Sequence, residues 1–177
     1  IENFQQFKEE LSKKGHQFNS ETDTEILAHL IEEELKTQKS VERALCRVLK
    51  PLRGSFALGL ILKSDPDTLF AARRGSPLVV GLGKKEYFIA SDVSALLKHT
   101  RDVIYLEDDE IAILKKDSCE IKDLNGRKIH KNKNHIEWHL DQAEKGGYEK
   151  FMLKEIHEQP QILKNVWLGR IQLKKGE

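Results

Sequence analysis

The chain has 177 residues, with 30 Lys+Arg against 29 Asp+Glu and a formal net charge of +1. That balance lacks the basic footprint of a protein that binds nucleic acid or an anionic membrane. A charged fraction of 33% with both signs mixed, together with regular apolar spacing, excludes a disordered chain. No apolar run approaches the roughly 20 residues that a membrane-spanning helix needs.

Two cysteines, Cys46 and Cys119, are too few for a disulfide framework, which places the chain in a reducing, cytoplasmic setting. No secretory leader is legible at the front. The chain opens at Ile1 and its one methionine is Met152, so the sequence is expected to be part of a longer protein.

In chain order, Phe4, Phe7 and Leu11 recur at helical spacing and predict a helix over 3–14, stopped by Gly15. His16 to Phe18 reads as a short extended stretch. A second helix is predicted from about Asp23 to Lys36, with Ile26, Leu27, Leu30, Ile31 and Leu35 on one face. Ser40 is a predicted N-cap for a third helix carrying Val41, Ala44, Leu45, Val48 and Leu49, ended by Pro51. The run 55–62 is almost wholly apolar and predicts a strand buried on both faces. The available helices cover only one such face, which again points to residues outside the chain. Asp65-Pro66-Asp67 is a predicted turn, with Thr68 to Ala72 pairing back. Leu78–Leu82 and Tyr87–Ala90 form another predicted strand pair, and Ser91 or Asp92 caps a short helix with Ala95, Leu96 and Leu97. Val103–Leu106 and Ile111–Leu114 flank an acidic turn, Glu107-Asp108-Asp109-Glu110. Asn125-Gly126 is the strongest hairpin signal. Helices followed by antiparallel strands define an α+β class. Beyond about Lys131 the pattern turns polar and reads as a linker. Phe151–Gln159 is a predicted helix stopped by Pro160, with a further short helix over Gln161–Leu168.

Several constellations invite a chemical reading. His130, His135 and His139 suggest a metal, but in His135-Ile-Glu-Trp-His139 the glutamate stands at neither position a zinc peptidase requires, so solvated linker histidines are expected. Gly81-Leu82-Gly83-Lys84 lacks the full phosphate-loop pattern and is expected to be a hairpin. Cys46 and Cys119 lack the setting that activates a thiol, so packing is expected of both. Lys128, Lys131 and Lys133 are interrupted and followed by acidic residues, which fits a solvated linker.

Ser20-Glu21-Thr22-Asp23-Thr24-Glu25 is the informative segment. Thr22 and Glu25 have capping-box spacing. That would leave Asp23 in the first helical turn, where the helix dipole favours an ionised carboxylate. Such a carboxylate suits a ligand ammonium, although from the residues alone a helix-stabilising role is the simpler reading.

This segment and the following Ile26–Ile31 resemble the glutaminase domain of the glutamine–fructose-6-phosphate aminotransferase (glucosamine-6-phosphate synthase) family. Leu52–Ala57, Ala71–Leu78 and Phe88–Asp92 are similar to further landmarks of that family, in order. Ala143–Tyr148 and Phe151–Pro160 resemble its linker to a sugar isomerase domain, with Lys150 where a His is expected. The linker motif separates this family from amidophosphoribosyltransferase and asparagine synthetase.

The resemblance implies an incomplete αββα N-terminal-nucleophile hydrolase sandwich, with antiparallel sheets flanked by helices. It implies the C-terminal part of a glutaminase (glutamine amidotransferase type 2) domain over 1–130, then linker and the start of the isomerase domain over 131–177. In the family a leading cysteine thiolate attacks the glutamine carboxamide, its own amino group is the base, and an Asn-Gly pair stabilises the oxyanion. The ammonia converts fructose 6-phosphate into glucosamine 6-phosphate. No metal or organic cofactor is implied, and the parent is expected to be a cytoplasmic homodimer. The family's cysteine and oxyanion pair have no counterpart in these residues, so no catalytic residue carries over and the isolated chain is expected to be inactive. Asp23 alone carries over as a substrate-binding residue, for the glutamine α-ammonium. The alternative is a non-catalytic scaffold or pairing fragment of the same family.

Overall fold

The computed structural model describes residues 1–137 and 147–167. It divides into two compact units, 1–136 and 137–177.

The first unit begins with three helices: α1 (Phe4–Lys13), α2 (Glu25–Thr37) and α3 (Val41–Leu49). The Ser40 hydroxyl accepts a hydrogen bond from the Arg43 N–H at 3.4 Å, the expected cap of α3. The helix at 25–37 starts later than the capping-box spacing predicts. Thr24 occupies the cap position without a side-chain cap bond. Asp23 therefore lies just ahead of the helix.

Nine strands follow: β1 (Phe56–Leu62), β2 (Asp65–Arg74), β3 (Val79–Leu82), β4 (Tyr87–Ala90), β5 (Asp102–Tyr105), β6 (Glu110–Lys115), β7 (Ser118–Asp123), β8 (Lys128–Ile129) and β9 (Asn134–His135). They form two antiparallel sheets, ordered β1-β2-β6-β7-β8 and β4-β3-β5-β9. The chain thus leaves the second sheet after β5 and re-enters the first at β6, across the acidic turn.

The sheet pleat sorts the core into two layers. On one face of the larger sheet, Phe56, Phe70, Ala72, Ile111 and Ile113 pack against Leu11, Ile26, Leu27, Ile31, Leu45 and Leu49 of the helices. On its other face Ala71, Ala112, Leu114 and Ile121 meet Leu78, Val80, Ile104 and Leu106 beside the second sheet. The architecture is α+β, a helix layer on a two-sheet sandwich. A short 3-10 turn, Val93–Ala95, is capped as expected by Asp92, which accepts from the Ser94 N–H at 2.8 Å.

Several expectations require correction. β1 is an edge strand whose Ala57, Gly59 and Ile61 are exposed; the strand buried on both faces is β6. Its apolar run reads as central because the Ala and Gly on its second-sheet side do not interrupt it. The β1–β2 turn is Lys63-Ser64, and Pro66 lies within β2. β6 pairs with β2 only from Thr68 onward, and the β1 register is irregular between Leu60 and Leu62, so the missing proline N–H breaks no regular ladder there. Strand β9 belongs to the first unit: its Asn134 and His135 pair with Val103 and Asp102 of β5.

Among the described residues of the second unit, helix α4 (Phe151–Trp167) runs through Pro160. Good helix formers on both sides of the proline carry the helix past the lost N–H bond. His139, residues 143–146 of the linker motif and Leu168 lie outside the described residues.

Candidate functional site

Asp23 stands at the junction of the segment before α2 and the start of the chain. Its carboxylate lies against the backbone nitrogen of Ile1. The Ile1 side chain is buried, while the Asp23 side chain keeps 37% of its surface exposed. The Thr24 hydroxyl donates to the Asp23 carboxylate at 3.3 Å. A part-exposed carboxylate is ionised at neutral pH and suits a primary ammonium.

The surroundings of Asp23 are fastened on two sides. On one side Glu25 turns back along the chain. Its carboxylate accepts from the backbone N–H groups of Asn19 and Ser20, both at 2.8 Å, and from the Ser20 hydroxyl at 2.5 Å. These bonds, led by the Asn19 N–H, lower its pKa to about 2. Glu25 thus anchors the segment before Asp23 instead of completing a box with Thr22, whose hydroxyl accepts from the Thr24 N–H at 3.2 Å.

On the other side, Ile1–Asn3 are tied to the loop after α3. Glu2 N–H donates to the Arg53 carbonyl at 3.0 Å, Arg53 N–H to the Asn3 side chain at 2.9 Å, and the Asn3 amide to the Pro51 carbonyl at 2.9 Å. That loop is pinned by Arg74 at the end of β2. Its guanidinium donates to the Leu52 carbonyl, to the Leu49 carbonyl at 3.2 Å and to Asp109 at 2.6 Å. Arg73 beside it bonds the Leu106 carbonyl at 3.1 Å and Asp108 at 2.7 Å. Asp108 also accepts from the Gly75 N–H at 2.9 Å, which, ahead of Arg73, holds its carboxyl low. Sequence reading missed this support. Its only signal was two arginines ending a strand and a separate acidic turn of opposite charge.

The other sequence candidates resolve differently. The Cys46 and Cys119 thiols are pushed up by burial, consistent with packing. Gly83 N–H bonds the Glu86 carbonyl at 3.0 Å, closing the β3–β4 hairpin expected for the glycine-lysine stretch. His135 sits on β9 at 2.7 Å from Asp102, not in a free linker. The lysines are also engaged. Lys131 is largely buried between Glu110 and Glu107 at 2.8 and 3.0 Å, Lys128 meets Glu120 at 3.2 Å, and Lys133 meets Asp102 at 2.9 Å. Their partners lie on other strands or, for Glu107, in the acidic turn, which the local sequence does not reveal. Among the described residues, the histidines and acids close enough to share a metal ion are His16, His29 and Glu32.

The fold and the family profile agree on the amidotransferase class. The two-sheet arrangement matches the glutamine phosphoribosylpyrophosphate amidotransferase from B. subtilis, solved with ADP and GMP. The TM-score is 0.61 at 23% identity, over 69% of this chain and 27% of that one, a likeness of N-terminal-nucleophile fold. The family profile described as glutamine amidotransferase domain matches residues 1–98.

The chain belongs to the glutamine amidotransferase family. Its curated relatives are glutamine–fructose-6-phosphate aminotransferases (isomerizing). That of Thermococcus kodakarensis is 53% identical over 96% of this chain and 28% of its own length. That of Caldanaerobacter subterraneus is 50% identical over 97% of the chain and 28% of its own. The chain spans less than a third of these relatives.

Proposed function

We propose that these residues belong to an enzyme that hydrolyses glutamine and transfers the ammonia to fructose 6-phosphate, giving glutamate and glucosamine 6-phosphate. Residues 1–130 supply the C-terminal part of its glutaminase domain, and 131–177 lead into its sugar isomerase domain. The long, even similarity to aminotransferases of that name supports the reading. Asp23 receives the α-ammonium of glutamine. What supports this role is the position of Asp23 just ahead of α2, with its side chain 37% exposed and its flanking segment anchored through Glu25.

The chemistry divides accordingly. Asp23 binds and orients the amino-acid end of glutamine, and the Glu25 and Arg74 clamps hold the two segments that meet there. Neither Cys46 nor Cys119 serves as nucleophile, because burial holds both thiols protonated at neutral pH. The 177-residue chain by itself therefore releases no glutamate from glutamine.

The test supplies glutamine and fructose 6-phosphate to a polypeptide of the relatives' full length that contains these residues. Equal amounts of glutamate and glucosamine 6-phosphate are expected. Glutamate without the amino sugar would assign a different ammonia acceptor. Glutamate release by the 177-residue chain, of confirmed mass, would refute the division of roles.

A further inference from the structure

His16, in the loop after α1, and His29, one turn into α2, meet away from Asp23. Their Nδ1 atoms are 2.9 Å apart. The outer nitrogen of each ring faces a carboxylate: His16 Nε2 lies 2.8 Å from Glu33, and His29 Nε2 lies 3.7 Å from Glu25. A carboxylate at Nε2 favours the proton there, which leaves a lone pair on Nδ1. Two such lone pairs then face one another, an arrangement that a shared proton or a metal cation satisfies.

A third donor is at hand. One Glu32 oxygen lies 3.6 Å from His16 Nδ1 and 4.0 Å from His29 Nδ1. Glu33 is occupied by His16, by Lys36 and by Lys14 at 3.6 Å, whereas the Glu32 side chain is 64% exposed and able to swing inward. The His16 ring is nearly buried, and Phe18 packs edge-on against His29 with ring centroids 4.5 Å apart. Tetrahedral zinc with bonds of about 2.0–2.1 Å sets its ligand atoms roughly 3.3 Å apart. The observed separations bracket that value.

We propose that His16 Nδ1, His29 Nδ1 and one Glu32 oxygen form a site for a divalent metal ion of the zinc type, with water as the fourth ligand. Glu33 and Glu25 act as outer carboxylates that fix the two imidazole tautomers. The ion fastens the loop after α1 to α2 and so connects, through Glu25, to the segment that presents Asp23. Two neutral imidazoles and a carboxylate suit zinc or cobalt better than magnesium or calcium, which prefer all-oxygen shells.

The test is calorimetric titration of the chelator-treated 177-residue chain with zinc(II), and separately with cobalt(II) followed by visible absorption. One equivalent per chain is expected, with a tetrahedral cobalt spectrum and binding that strengthens as pH rises through the imidazole range. Each of His16→Gln, His29→Gln and Glu32→Gln should weaken binding roughly tenfold or more, and Glu33→Gln roughly tenfold. Glu32→Gln is the decisive variant, because an exposed side chain is replaced and the fold is retained. His99→Gln should leave the affinity unchanged. Absence of saturable one-equivalent binding, or undiminished binding in Glu32→Gln and in the His16→Gln/His29→Gln double variant, would overturn the proposal. Glutamine turnover enters none of these readouts, so their failure would leave the proposed activity untouched.

Discussion

Gly75 tests how the support behind the candidate site is built. Its φ is +70°, and a Cβ placed on it would lie 2.4 Å from the Ser55 Oγ and 2.9 Å from the Ser55 Cβ. The hydroxyl can rotate away, but the Ser55 Cβ is held by the backbone immediately before β1, where Phe56 bridges Gly75. Gly75→Ala therefore carries two costs. An L-residue in the left-handed region costs about 1–2 kcal/mol, and overpacking adds about 1–3 kcal/mol. Gly15 isolates the first cost, since its φ is +91° and nothing lies within 4 Å of its added Cβ. Gly15→Ala should lose about 1–2 kcal/mol and Gly75→Ala about 2–5 kcal/mol. With a urea slope of about 2 kcal/mol/M, the Gly75→Ala midpoint falls by roughly 1–2.5 M. Ser55→Gly combined with Gly75→Ala should recover the overpacking part, giving a coupling of about 1–3 kcal/mol in the double-mutant cycle. Urea unfolding followed by circular dichroism reads all five chains: the unsubstituted protein, Ser55→Gly, Gly75→Ala, their double variant and Gly15→Ala. Additive Ser55 and Gly75 effects, or equal losses at Gly15 and Gly75, would refute the packing argument.

Two further outcomes follow from the same structure. Glu25 and Glu33 both have pKa values lowered to about 2, Glu25 first by the Asn19 N–H and Glu33 first by Lys36 and then His16. A depressed acid stabilises the folded state fully above its unfolded pKa of about 4.3 and loses that contribution as pH falls toward 2. Urea midpoints should therefore drop steeply below about pH 4.5, and Glu25→Gln should flatten the drop; an unchanged slope would contradict the bonds to Asn19 and Ser20. Cys46 and Cys119, with thiols pushed up by burial, should react at least about tenfold more slowly with a disulfide reagent in the folded chain than in urea. Equal rates would show that the thiols are open.

Where local chemistry alone decides an element, the sequence announces it. Ser40 caps α3 as its type predicts, and Asn125-Gly126 turns between β7 and β8, with the Asp123 carboxylate accepting from the Asn125 and Arg127 N–H groups at 2.8 Å. Where a distant partner decides, it does not. Thr22 and Glu25 have the spacing of a capping box, yet Glu25 finds the Asn19 and Ser20 N–H groups instead and α2 starts later. The apolar run of β1 looks central, but sheet order, set by pairing with β2, leaves it at an edge. Asp23 is expected in the first helical turn, and the late start of α2 leaves it just ahead of the helix. Arg74 was not legible, because Asp109 and the Leu49 and Leu52 carbonyls converge on it only after α3, β2 and the acidic turn are assembled. His16 and His29 were likewise unremarkable in sequence, since the loop after α1 must fold onto α2 before their rings meet.

The most direct test of the account is the glutamine KM of a full-length polypeptide carrying Asp23→Asn. The substitution keeps the side-chain shape and removes the charge that grips an ammonium. A charge-assisted hydrogen bond is worth about 1.5–3 kcal/mol, so KM should rise roughly tenfold to a hundredfold. The KM for fructose 6-phosphate should hold. A glutamine KM equal to that of the unsubstituted protein would contradict the role given to Asp23.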